Sequence, residues 1–138
     1  MDREILFRGK RLDNGEWAEG FYMEVQHVKD KSHVHTFILQ KDKCLETGGP
    51  PDFMVEVDPS TVGQYTGLTD KNGVKIFEWD MLYDPHENMI YIVEWSSEKA
   101  MFQMAHDWRR RNMEFSPYCE VIGNIHDNPE LMGGDNDG

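Results

Sequence analysis

The chain reads as a mainly β protein of the β-rich α+β kind, a small antiparallel barrel or roll, on three observations. Eight or so short apolar or alternating runs recur along it at a spacing of roughly 8–12 residues, the rhythm of short strands joined by turns. Between the runs stand residues that tolerate positive φ, above all Asn14-Gly15 and Asn72-Gly73. Helical periodicity is confined to one segment, residues 96–111.

The first 23 residues form a hairpin. Residues 5–8 are a short apolar strand, Asp13-Asn14-Gly15 the turn, and residues 16–23 the returning strand. After a polar stretch at 26–32, the β-branched and aromatic residues 33–40 predict another strand. Residues 41–52 contain Gly48-Gly49-Pro50-Pro51, which continues neither a helix nor a central strand, so a loop is expected. Residues 53–57 resume a strand that Pro59-Ser60 ends. The clearest hairpin follows: residues 62–68, the turn Asp70-Lys71-Asn72-Gly73, and residues 75–82 as its second arm.

Asp84-Pro85-His86-Glu87-Asn88 is a turn. Residues 89–95 are apolar at nearly every position, which predicts a strand buried on both faces. Residues 96–111 read two ways. Ala100, Met101, Met104, Ala105 and Trp108 make a helical stripe with Ser97 as a cap, whereas a period of two gives a mediocre strand. The local pattern favours the helix. Residues 118–125 are a last strand, with Asn124 and Asp127-Asn128-Pro129 as Asx turns ending it. One helical turn over 128–132 and a tail at 133–138 without apolar residues, expected to be disordered, complete the chain.

A chain of 138 residues with seven Phe, five Tyr, four Trp and nine Met can fill a core without disulfides or a structural metal. No apolar run is long enough to span a membrane. The start lacks a signal-peptide core, so a soluble cytoplasmic protein is expected. Cys44 and Cys119 have no metal-type spacing and are expected to be free thiols, Cys119 buried and inert in an apolar strand. The net charge is −12, and residues 48–107 carry 11 acidic against 3 basic groups. A surface of that sign repels phosphate backbones and disfavours nucleic acid as a partner.

Each candidate for chemistry has a plain structural counterpart. Trp108, Arg109, Arg110 and Arg111 form the one basic cluster, with an aromatic that could stack a base, and pairing with the acidic middle accounts for it equally well. His33 and His35 would share a strand face, a spacing that suits a metal pair, with His27, His86, His106, Asp84 or Glu87 to supply further ligands. No Cys/His or HExxH spacing fixes such a set, so a solvent-facing pair is favoured and no metal site is assigned. Glu78, Asp80, Asp84 and Glu87 lie close in sequence, but general acid–base work needs a cleft with separated pKa values, and turn formation explains them. The glycines fit no phosphate-cradling frame, and no nucleophile elbow is present. No cofactor is implied.

Three blocks occur in order along the chain: residues 6–10, Leu-Phe-Arg-Gly-Lys; residues 64–73, Gln-Tyr-Thr-Gly-Leu-Thr-Asp-Lys-Asn-Gly; and residues 120–131, which open Glu-Val-Ile-Gly-Asn-Ile-His-Asp. Together they resemble the YopX family of phage and prophage proteins. The resemblance implies an antiparallel SH3-like barrel with no established activity, and it makes residues 101–106 a strand. It implies a single domain over 1–132, with an N-terminal hairpin and middle strands in 1–60 and the SH3-like portion in 61–132. The family pattern has Gly before Asp80 where Trp79 stands here; if that position needs φ > 0, Trp carries strain that glycine would not.

The expected role is a non-catalytic protein-binding module. Its partner would be a host or phage protein, with exposed strand edges offering a homo-oligomer as well. Two alternatives come from other classes: an acidic mimic of DNA that occupies a nucleic-acid-binding host protein, and a metal-dependent enzyme centred on His33 and His35.

Overall fold

The computed structural model describes residues 4–40 and 53–131. The loop expected at 41–52, the tail at 133–138 and Cys44 lie outside them. Among the described residues are eleven strands: β1 (Phe7–Lys10), β2 (Trp17–Gln26), β3 (Val34–Gln40), β4 (Met54–Glu56), β5 (Gly63–Thr69), β6 (Lys75–Phe77), β7 (Asp80–Asp84), β8 (Met89–Ser96), β9 (Met101–His106), β10 (Arg109–Asn112) and β11 (Glu120–Asn124). Short 3-10 turns span Pro59–Thr61 and Met113–Tyr118. The mainly β, antiparallel class is as expected; the strand orders are open-ended, and no barrel closes among the described residues. The chain divides into two compact units, residues 1–64 and 65–138.

In the first unit the sheet runs β4-β3-β2-β1, and Gly63 and Gln64 pair with β1 along its other edge. The β1–β2 turn closes through the Arg11 N–H to the Glu16 carbonyl at 2.9 Å, with Gly15 at φ +74. Residues 20–26 of β2 pair with residues 34–40 of β3, Gly20 opposite Gln40 and Gln26 opposite Val34. Alternation along the strands then sorts the side chains. Ala18, Ile38 and Val55 point to one face and, with Val57, form the buried cluster against which Phe7 and Val62 pack.

The second unit holds a five-stranded sheet in the order β10-β9-β8-β7-β11 and the β5–β6 hairpin. Its core is Ile76, Leu82, Tyr91, Val93, Met104, Met113 and Cys119. Burial of each of the larger apolar side chains there is worth about 1.5–3 kcal/mol. The hairpin turn is built as its residues predict: the Gly73 N–H reaches the Asp70 carbonyl at 3.0 Å, and Gly73 takes φ +81.

Three expectations change. The second hairpin arm, read as one strand over 75–82, is two strands separated at Trp79, whose φ is +76. The left-handed conformation that glycine would take is therefore kept by a tryptophan. The Trp79 N–H donates to the Val93 carbonyl at 2.7 Å, its own carbonyl accepts from the Ile125 N–H at 3.1 Å, and the Asp80 carboxylate accepts from the Phe77 N–H at 2.8 Å. Second, β8 is buried on one face: Tyr91 and Val93 are fully buried, Ile90 and Ile92 only partly, and Trp95 is exposed. Third, the helical stripe at 96–111 is overruled, and residues 101–106 form the strand that the family resemblance implied. Ala100 at φ +54 turns the chain, Ser96 pairs with Met101, and β9 fits between β8 and β10. Two flanking ladders outweigh a local periodicity.

Candidate binding surfaces

Strand β10 carries the basic cluster, and the β9–β10 turn presents Trp108 almost fully to solvent, 88% exposed. Because strand side chains alternate, Arg109 and Arg111 point one way and Arg110 the other. Each arginine meets a carboxylate. Arg109 pairs with Glu87, Arg110 with Glu94 at 3.1 Å, and Arg111 with both Asp84, at 2.6 Å, and Glu87. The Arg111 guanidinium also lies 4.1 Å from the Phe115 ring centroid and 5.5 Å from that of Tyr91. Trp108 and the three arginines, consecutive in sequence, thus form no single basic patch: the structure divides the arginines between two faces and pairs every one with a carboxylate.

A cleft of about 310 Å³ opens beside Arg111, lined by Asp84, His86, Glu87, Arg111, Phe115 and Tyr118. Burial would raise the Asp84 carboxyl, but the Arg111 guanidinium and the N–H groups of His86 and Glu87 hold it below the usual range. The Tyr91 hydroxyl, followed by Arg109 and Arg111, holds Glu87 low as well. Burial and then the Glu87 carboxylate push the Tyr91 hydroxyl up. Burial pushes the Cys119 thiol up to about 11. All four shifts lead away from neutrality, whereas a general base works best when poised near the operating pH. Chemically the cluster is a compensated ion-pair network bracing β10 against the β7–β8 turn.

The acidic residues singled out in the sequence take local roles. Asp80 closes the turn at Trp79, and Asp84 caps its own turn through the His86 N–H at 2.8 Å. Asn124 accepts from the N–H groups of His126 and Asp127, the Asx turn expected after the last strand. Cys119 is free and buried.

The histidines separate by unit. In the second, His86 lines the cleft and His106 places Nδ1 2.8 Å from the Ile90 carbonyl. In the first, His33 and His35 are joined by His27 at the tip of the β2–β3 hairpin, with ring centroids 5.2–5.9 Å apart. As the rings stand, no three His, Cys, Asp or Glu side chains among the described residues are set to hold one metal ion.

One surface escaped the sequence reading. Opposite the buried face of the first unit's sheet, Phe21, Met23 and Val25 of β2 lie beside Phe37 and Leu39 of β3 and Met54 of β4, with Phe21 opposite Leu39, Met23 opposite Phe37 and Leu39 opposite Met54. Phe21 is 56% exposed, Val25 44% and Met54 40%, and the other three are half-buried. Toward β1 the same face carries Trp17, under the Arg8 guanidinium at 4.5 Å and the Lys10 ammonium at 5.6 Å. Alternation in the sequence points the other way: residues 21, 23, 25, 37 and 39 are all apolar while Tyr22, Glu24, Thr36 and Ile38 are mixed, so a period-two reading buries the face that the structure leaves outside.

Comparison with known proteins accords with this architecture. The family model described as YopX protein matches residues 6–133. The crystal structure of protein EF1440 from Enterococcus faecalis is similar, with 26% identity and a TM-score of 0.52, over 94% of this chain and 98% of that one. No curated protein matches. Among the described residues no helix is long and apolar enough to cross a membrane. With a family match over nearly its whole length, the chain belongs to the YopX protein family.

Proposed function

We propose that this chain is a non-catalytic protein-binding module that docks a host or phage protein on the outer face of the first unit's sheet. The observation that carries the reading is the stripe of Phe21, Met23, Val25, Phe37, Leu39 and Met54, three of them well exposed. A monomeric surface seldom leaves so many apolar side chains contiguous without a use. A net charge of −12 steers positively charged proteins toward the chain. The partner that fits is therefore a basic protein with an apolar centre to its contact surface. The compensated network around Asp84, Glu87, Arg109 and Arg111 supports structure rather than acid–base chemistry.

The test is affinity capture from phage-carrying cells with the unaltered chain and with Phe21→Thr. The substitution replaces one strand-favouring residue with another at an exposed position, so the melting temperature should hardly move. Loss of a central aromatic anchor should weaken the captured complex by about 10–30-fold. Equal capture by both chains, with affinity that collapses as salt rises, would instead favour the DNA-mimic reading, in which charge alone binds. Capture of nothing by the unaltered chain would sink the binding reading.

A further inference from the structure

We propose that His27, His33 and His35 form a binding site for one divalent transition-metal ion, of the Zn²⁺ class, at the tip of the β2–β3 hairpin. The sequence pairs His33 with His35 and offers His27 as one of several further ligands; the register selects it. Val25 stands opposite His35 and Gln26 opposite Val34, so the next pair beyond the ladder is His27 with His33. The His27 N–H donates to the His33 carbonyl at 3.1 Å, which confirms that pair. All three side chains therefore leave the same face, His33 and His35 two residues apart and His27 across from them.

Their spacing suits ligation. An ion about 2.0–2.1 Å from an imidazole nitrogen lies about 3.2 Å from the ring centroid, so tetrahedral or trigonal binding sets the centroids about 5.2–5.5 Å apart. The observed separations are 5.2 Å for His27–His33, 5.5 Å for His33–His35 and 5.9 Å for His27–His35. The His27–His35 separation exceeds that range by about 0.4 Å, so binding draws His27 slightly inward and turns the rings of His27 and His33, while the Glu56 contact holds that of His35. The second side-chain torsion of histidine is broad, so that turn meets little resistance at a solvent-facing site.

A second observation points the same way. The Nδ1 atom of His35 lies 2.7 Å from a Glu56 oxygen, within hydrogen-bond reach, whereas that of His33 stands 3.8 Å from an Asp30 oxygen, too far for one. A carboxylate hydrogen-bonded at Nδ1, as Glu56 is to His35, leaves Nε2 to face a metal, the arrangement that supports ligating histidines generally. The loop is held in shape as well: the Asp30 carboxylate accepts from the Ser32 N–H at 3.1 Å, and the Gln26 amide donates to the Lys31 carbonyl at 2.6 Å. Three imidazoles select Zn²⁺, Cu²⁺ or Ni²⁺ over Mg²⁺ and Ca²⁺, and they leave a fourth position for water or a donor from another molecule.

The full chain, freed of any histidine tag and stripped with a chelator, is titrated with ZnCl₂ against a chromophoric competitor. One equivalent should bind. His27→Asn and His35→Asn should each weaken binding by at least about tenfold, Glu56→Gln by about 10–100-fold, and His86→Asn should change nothing. In parallel, Zn²⁺ should shift the NMR ring signals of His27, His33 and His35 and leave those of His86 and His106 in place. No stoichiometric binding, or binding that survives His27→Asn and His35→Asn in chains with unaltered melting temperatures, overturns the site.

Discussion

Two side chains in the second unit show how much a single position can decide. Asp70 is 5% exposed and accepts three backbone N–H groups: those of Asn72 and Val74 within its own turn, at 2.8 and 2.9 Å, and that of Val121 at 2.9 Å. Burial alone would raise its carboxyl, but the three donors more than offset this and hold it low. Asparagine there would turn its NH₂ toward one of those donors, so Asp70→Asn should cost about 2–3 kcal/mol in chemical denaturation. An unchanged midpoint would show that the bond to Val121 holds nothing together. Trp79 is the other. Its φ of +76 costs any L side chain something that glycine avoids. Trp79→Gly and Trp79→Ala lose the same indole, so their difference isolates the backbone: the glycine variant should be more stable by about 1 kcal/mol. Equal stabilities would mean that the left-handed conformation is not under strain.

Strand β10 and the β7–β8 turn form a braced pair with its own pH signature. Asp84 is held below its ordinary value of 3.8 in the folded chain. A carboxyl depressed by folding stabilises the fold fully above its unfolded pKa, and that contribution disappears as pH falls through the folded value. Thermal stability should therefore be flat near neutrality and fall below about pH 4. Asp84→Asn should lower stability at pH 7 by about 2–3 kcal/mol, because it leaves a largely buried Arg111 short of a partner. The same variant should show a smaller drop between pH 7 and pH 3, and a drop as large as that of the unaltered chain would place the acid sensitivity elsewhere. Strand β9 beside it carries a different lesson. Its stripe of Ala100, Met101, Met104 and Ala105 suits a helix, but the ladder from Ile92–Ala105 to Ser96–Met101 settles the matter. The 3.6-residue period is a local property, whereas the β8 and β10 partners are supplied by other parts of the chain.

Across the chain, the mainly β class, the two Asn-Gly turns, the Asx turn at Asn124 and the buried thiol of Cys119 were legible in the sequence. Each depends on neighbours within a few residues, or on burial that composition alone demands. The pairing of Arg109, Arg110 and Arg111 with Glu87, Glu94 and Asp84, the grouping of His27 with His33 and His35, and the exposed apolar face around Phe21 were not. These follow from register and from which sheet face the core covers, and residues distant in sequence fix both. A one-residue slip of β3 against β2 would part His27 from His33 and turn Phe37 and Leu39 inward. Local chemistry thus determined where the chain turns and what kind of structure it forms. Only the tertiary arrangement decided which side chains meet, because strand pairing joins residues that no local pattern connects.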